Sequence, residues 1–111
     1  MNNVSNPSKA LTFKSISTVT KTVSDADSAF HDCDISANVP KNALVFLSGY
    51  NNGAAAASVG VREKGSSAVS IITNQAQWVN NQFIVQVDSN GIFQAYAGIN
   101  ENIYLILGYI S

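Results

Sequence analysis

Residues 82–97 read QFIVQVDSNGIFQAYA, with an apolar residue at every second position on both sides of a turn signal. Period-two alternation over several residues is typical of a half-buried β-strand. The central Asn90-Gly91 dipeptide favours a tight turn, because both residue types tolerate positive φ. The stretch therefore predicts two strands, 82–87 and 92–97, joined as a β-hairpin.

The length of the loop sets the register of this hairpin. A two-residue loop over 90–91 would pair Val87 with Gln94. A three-residue loop over 89–91 would pair Val87 with Phe93 and keep one face of the hairpin wholly apolar. It also places the glycine at the left-handed position of a type I turn followed by a bulge. We expect the three-residue loop.

Strand patterns of the same kind occur along the rest of the chain, separated by turn signals rich in Gly, Pro, Asn and Ser. No segment shows a convincing helical period. The predicted strands cover residues 10–23, 29–35, 43–50, 54–63, 68–73, 82–87, 92–97 and 103–110. The sequence therefore predicts an all-β, two-sheet antiparallel sandwich, a jelly roll of about eight strands, with an immunoglobulin-like sandwich as the second choice.

The chain length indicates one domain. Its 111 residues suffice for a two-sheet core but not for a second core. Residues 1–9 are rich in Asn and Ser and contain a proline, so we expect a flexible N-terminal arm that orders only when it docks. Residues 10–111 form the predicted sandwich domain.

Two predicted strands, 43–50 and 103–110, are apolar at consecutive positions and therefore on both faces. The second is expected inside a sheet rather than at its edge. In a two-layer sandwich one face of each strand points outward, and an apolar outer face needs a cover. The cover is either the chain's own loops and arm or a second molecule. The latter predicts a homo-oligomer, with a dimer favoured.

The composition argues against several classes of partner. Charged residues make up 12% of the chain, against about 25% in typical domains, whereas 13 Asn, 14 Ser, 5 Thr and 5 Gln supply neutral polarity. The net charge is −1 and the six basic residues are scattered, so no nucleic-acid partner is expected. The N-terminus does not resemble a signal peptide and no apolar run is long enough to span a bilayer, so no membrane partner is expected.

The densest group of chemically reactive residues is His31-Asp32-Cys33-Asp34. On a strand, neighbouring residues point to opposite faces, so the four do not converge. The chain has no second His or Cys to complete a zinc site, and none of its seven carboxylates is singled out as a catalytic pair. We therefore expect no metal, no cofactor and no catalytic residues. The single cysteine favours folding in a reducing cytoplasm.

A few remaining residues are candidates for contacts. Arg62, the only arginine, could anchor a bidentate ion pair across an interface. The large aromatic residues could fill the core, anchor an interface or stack on sugar rings. They are Tyr50, Trp78, Tyr96, Tyr104 and Tyr109.

Four segments together resemble a known family. They are FHDCDISANVP at 30–40, VREKGS at 61–66, QFIVQVDSNGIF at 82–93 and YLILGYI at 104–110. This succession of strands and turns is similar to small β-sandwich domains of tailed-phage virions. Over nearly the whole chain it most resembles the capsid decoration, or staple, proteins of epsilon-fifteen-like podoviruses.

The resemblance implies a structural protein without catalytic residues. Such a protein is made in the host bacterial cytoplasm, sits on the outer capsid surface, binds the major capsid protein and bridges adjacent capsomers. A phage tail-fibre or receptor-binding module that binds glycans is the alternative. The candidates for capsid or subunit contact are Asn2, Asn3, Val4, Ser5, Asn6, Pro7, Ser8, Arg62, Trp78, Tyr104 and Tyr109.

Overall fold

A computed structural model describes residues 11–111, so the arm predicted over residues 1–9 lies outside the described residues. The described part contains eight β-strands and no helix, and therefore no helix of the length and apolarity needed to cross a membrane. The strands are β1 Phe13–Val23, β2 Ala29–Asp34, β3 Leu44–Asn51, β4 Ala57–Glu63, β5 Ser70–Gln75, β6 Asn81–Gln86, β7 Ile92–Ala97 and β8 Asn102–Ile110.

The strands form two antiparallel four-stranded sheets that pack face to face. Sheet 1 has the order β1-β8-β3-β6, and sheet 2 has the order β2-β7-β4-β5. This is the strand order of a jelly roll, in which successive strands alternate between the sheets except for β4 and β5, which pair within sheet 2. The predicted all-β sandwich is therefore confirmed. The expectation that the last strand lies inside a sheet is confirmed as well, since β8 lies between β1 and β3.

The predicted hairpin of β6 and β7 is wrong. The predicted three-residue turn over 89–91 is confirmed, since the Asp88 N–H donates to the Ile92 carbonyl and the Gly91 N–H donates to the Asp88 carbonyl, both at 3.0 Å. Beyond the turn, however, β6 pairs with β3 in sheet 1, while β7 pairs with β2 and β4 in sheet 2. The alternation of apolar residues over 82–97 predicts one apolar face shared by β6 and β7 in a single sheet. It belongs instead to two faces that meet across the core, where Val85 and Phe93 are both buried.

Gly91 occupies a position that only glycine fits without strain. Its φ is +75°, and a Cβ there would lie 2.7 Å from the Cα of Ser36. Gly65 has a similar φ of +78°, but a Cβ there would meet nothing within 4 Å. A substitution at Gly65 therefore measures the cost of backbone strain alone, and the same substitution at Gly91 measures backbone strain plus steric overlap.

Gly91→Ala is expected to lower the free energy of unfolding by more than Gly65→Ala. Left-handed backbone alone costs an L-residue about 1–2 kcal/mol, and at Gly91 the overlap with Ser36 adds to it. Urea denaturation of the two variants measures the difference. Equal losses would show that the backbone at Ser36 moves away without cost.

The core lies between the sheets, and Tyr104 of β8 is its largest fully buried side chain. Its hydroxyl donates to the Tyr96 carbonyl at 2.7 Å and accepts the Gly60 N–H at 3.1 Å. Gly49 gives the ring room, because a Cβ there would lie 2.7 Å from the Tyr104 Cδ1 atom. A buried tyrosine with a satisfied hydroxyl packs like other core aromatics.

Candidate functional site

The outer face of sheet 1 carries no charged side chain at the positions that strand pairing assigns to it within residues 11–111. Val45 and Leu47 of β3 point into the core, so the alternate residues of β3 point outward. The residues of the flanking strands that pair with these outward residues point outward as well. We call this surface the uncharged face. Its members are Phe13, Ser15, Thr20, Thr22, Leu44, Phe46, Ser48, Tyr50, Gln82, Ile84, Gln86, Ile103, Leu105, Gly108 and Ile110. Of these, Ser48 and Ile103 are buried.

At one end of the uncharged face, apolar side chains form a contiguous patch across the sheet. Phe13 of β1 is 50% exposed and packs edge-on against Phe46 of β3, with ring centroids 5.3 Å apart. The Phe13 ring also covers Gly108 of β8, because a glycine has no side chain to occupy that space. Ile84 of the edge strand β6 pairs with Phe46 and is 55% exposed. We call Phe13, Leu44, Phe46, Ile84 and Ile110 the apolar patch.

The outer face of sheet 2 has a different chemistry. Lys64 Nζ lies 2.8 Å from Asp32 Oδ2, and Gln94 donates to the other oxygen of the same carboxylate at 2.9 Å. Both hydrogen bonds favour the ionised carboxylate, with the Lys64 bond the stronger cause, and lower the pKa of Asp32. This face is therefore polar and charged, whereas the uncharged face offers apolar contact. Apolar contacts between proteins are made where charged residues are depleted.

The structure does not bring the predicted contact residues together at one site. Arg62 lies on the outer face of sheet 2, because its register partner is Gln94. Trp78 lies in the β5–β6 loop, where its side chain is 66% exposed and its Nε1 donates to Asn52 Oδ1 at 3.1 Å. Tyr109 lies near the end of β8, partly buried against the core.

Tyr104 is the clear correction among these candidates. The sequence suggested it as a capsid or subunit contact, but its side chain has 0% exposure and packs in the core. A side chain with no exposed area offers nothing to a partner in this conformation. The other candidates, Asn2 to Ser8, lie outside the described residues.

The tyrosines also do not gather around Trp78. Tyr50 lies on the uncharged face, Tyr96 on the outer face of sheet 2, and Tyr104 in the core. A groove formed jointly by Trp78 and the tyrosines is therefore not present in the described residues.

A cluster that the sequence did not single out lies around the β1–β2 turn. His31 Nε2 is 2.8 Å from Asp27 Oδ1, and its Nδ1 is 3.7 Å from Asp25 Oδ2. The three residues are of types that hold metal ions, with one ligand atom from each within 4.8 Å of the others. Their nitrogen and oxygen atoms already face one another as ion pairs. The sequence grouped His31 with the three residues that follow it, whereas the fold groups it with two that precede it.

The titration of His31 is a test of this cluster. The hydrogen bond to Asp27, supported by the negative charge of Asp25, raises the pKa of His31 above its ordinary value of 6.5. The ion pairs therefore add stability below about pH 6.5, and this contribution is lost as the pH rises through the raised pKa. Asp27→Asn is expected to lower the pKa of His31.

Proton NMR of the imidazole gives the pKa directly, because the chain contains one histidine. Asp32→Asn is the matched control, since Asp32 pairs with Lys64 instead. A His31 pKa that responds equally to both substitutions would refute the specific pairing with Asp27.

Cys33 lies on the inner side of β2, two residues beyond His31, and is buried in the core. Burial raises the pKa of its thiol to about 11. The thiolate is the nucleophilic form of cysteine, so this thiol is unreactive near neutral pH. The arrangement offers no activated nucleophile at Cys33.

Comparison with known proteins adds no relative to these observations. No protein-family model, no curated protein and no solved structure matches the chain.

Proposed function

We propose that this protein is a structural virion protein that decorates the outer capsid surface and staples adjacent capsomers, with the uncharged face as its docking surface. The observation that carries the proposal is the apolar patch across sheet 1, exposed and free of charge. The family resemblance supplies the kind of partner, the major capsid protein. The mechanism is mechanical: area buried across the seam between capsomers opposes their separation.

The size of the uncharged face indicates how much contact it supplies. Four strands about 4.8 Å apart and about eight residues long give a flat surface of about 15 by 25 Å. This is about half of the roughly 800 Å² that each partner buries in a stable interface. In this proposal the remaining contact would come from residues 2–8, the arm predicted from the sequence. Repeated copies on a symmetric shell then strengthen modest contacts through avidity.

Co-sedimentation of the purified protein with capsids that lack their own copy tests the proposal. Saturable binding at a fixed ratio to the major capsid protein, together with a raised capsid rupture temperature, is the expected result. A well-folded protein that fails to bind would refute the decoration role and favour the receptor-binding alternative.

Deletion of residues 1–8 is expected to weaken capsid binding and leave the thermal unfolding temperature unchanged. The deleted residues precede β1, which begins at Phe13, so no sheet hydrogen bond of the described strands is removed. Binding is measured by the same sedimentation assay, and folding by circular dichroism. Capsid binding of undiminished strength by the shortened protein would rule out the arm as a contact.

A further inference from the structure

Arg62 is held in a fixed position on the outer face of sheet 2. Strand pairing aligns Asp32, Gln94 and Arg62 in one row across β2, β7 and β4. The Arg62 Nε–H donates to Gln94 Oε1 at 2.7 Å. The guanidinium also lies over the ring of Phe30, with Cζ 4.4 Å from the ring centroid. One edge and one face of the guanidinium are thus fixed by neighbouring side chains.

The positive charge of Arg62 has no acidic partner among residues 11–111. The carboxylate in its row, Asp32, is already shared by Lys64 and Gln94. The side chain of Arg62 is half-buried, so water screens its charge less than it screens a fully exposed one. The four N–H groups on the two Nη atoms remain for a ligand, in the planar fork that matches a carboxylate.

We propose that Arg62 is the centre of a binding site for the carboxylate of an acidic sugar. Lys64 and Asp32 neutralise each other, so the site offers one uncompensated positive charge and suits a monoanion better than a doubly charged phosphate. Phe30 and Tyr96 form an aromatic pair beside the guanidinium, with ring centroids 5.2 Å apart and planes at 67°. Small-ligand sites combine aromatic side chains with a few fixed polar groups, and the part of this aromatic pair that the guanidinium leaves uncovered would give the apolar side of a sugar ring a surface to pack on.

The position of the Arg62 site on sheet 2 indicates where the protein would meet its ligand. This step rests on the proposed function. The outer face of sheet 2 is opposite the uncharged face, so a protein docked through sheet 1 would turn Arg62 away from the capsid. The site would then meet acidic polysaccharide at a cell surface. Many copies on one shell would convert weak single contacts into firm attachment.

The test uses the isolated protein and no capsid, so its result is independent of the docking proposal. D-glucuronate is titrated while the Arg62 Nε–H and the rings of Phe30 and Tyr96 are followed by NMR. D-glucuronamide, which has the same ring without the charge, is the neutral comparison at equal ionic strength. We expect saturable shifts at these three residues with glucuronate and at least tenfold weaker binding of glucuronamide.

Three variants locate the binding. Arg62→Lys keeps the charge but loses the fork, and is expected to weaken glucuronate binding at least tenfold. Phe30→Leu keeps an apolar side chain but removes the ring, and is expected to weaken it severalfold. Lys41→Gln removes an exposed positive charge in the β2–β3 loop and is expected to have no effect. Thermal unfolding of each variant confirms that the fold is retained.

Three outcomes would overturn the proposal. The first is an absence of shifts at Arg62 with glucuronate. The second is binding unaffected by Arg62→Lys, which would show that charge alone is responsible. The third is acetate or a capped glutamate peptide binding as tightly as glucuronate, which would remove the sugar from the site and favour an acidic protein partner.

Discussion

Ile84→Glu is expected to reduce capsid binding at least tenfold while the protein remains folded. Ile84 lies at the edge of the apolar patch, opposite Phe46, and more than half of its side chain is exposed. Burying an unpaired carboxylate in an apolar contact costs several kcal/mol, and each 1.4 kcal/mol is a factor of about ten in affinity. Substitutions at exposed positions change stability by only about 0.5 kcal/mol.

Ile99→Glu is the matched control for this experiment. Ile99 is 59% exposed, close to the 55% of Ile84, but lies in the β7–β8 loop and outside the uncharged face. The two variants carry the same change of charge. Sedimentation with capsids is expected to show loss for Ile84→Glu and normal binding for Ile99→Glu. Normal binding by both variants would exclude the apolar patch from the contact, and equal loss by both would indicate a general effect of net charge.

Phe93→Ala is expected to lower the free energy of unfolding by about 3–5 kcal/mol. Phe93 is fully buried in β7, between Cys33 of β2 and Glu63 of β4 in the sheet. Removing a buried aromatic ring loses its transfer free energy and leaves a cavity, and together these give losses of this size. Domains of this size are stable by about 5–15 kcal/mol in total, so the loss would be a large fraction of the stability of the protein.

Phe13→Ala is the control, because it makes the same chemical change at a half-exposed position of the apolar patch. Urea denaturation followed by far-UV circular dichroism is expected to show a loss of about 1 kcal/mol or less for this variant. At a temperature at which both variants are folded, capsid binding should respond in the opposite order, with the stronger effect from Phe13→Ala. A similar loss of stability for both variants would contradict the assignment of Phe93 to the core and Phe13 to a contact surface.

The sequence predicts the strands of this protein well and their partners poorly. Alternation and turn residues locate all eight strands, with the largest differences at β1, which begins at Phe13 rather than at residue 10, and at β4, which begins at Ala57 rather than at residue 54. These signals are local. The pairing of β6 with β3 instead of β7 depends on which faces meet across the core, and a pattern of period two is the same for either choice.

The candidate surfaces, too, could be predicted from the sequence only where they depend on local patterns and not on strand order. Apolar residues at consecutive positions of β3 predicted an outward apolar face, and the uncharged face has this character. The participation of Phe13 and Ile84 depends on which strands flank β8 and β3, and that order is not a local property. In the same way, His31 meets Asp25 and Asp27 because of the geometry of the β1–β2 turn, while its neighbours in the sequence point elsewhere.

The position of β8 between β1 and β3 has a consequence for synthesis of the chain in the cell. β8 is synthesised after the other seven described strands and belongs in the middle of sheet 1, so until it emerges both of its neighbours have an unpaired edge. Unpaired strand edges are templates for association with other chains. The nascent protein therefore passes through a vulnerable interval that lasts until β8 has emerged, and slow codons in the segment that encodes β8 would prolong this interval and lower the yield of folded product.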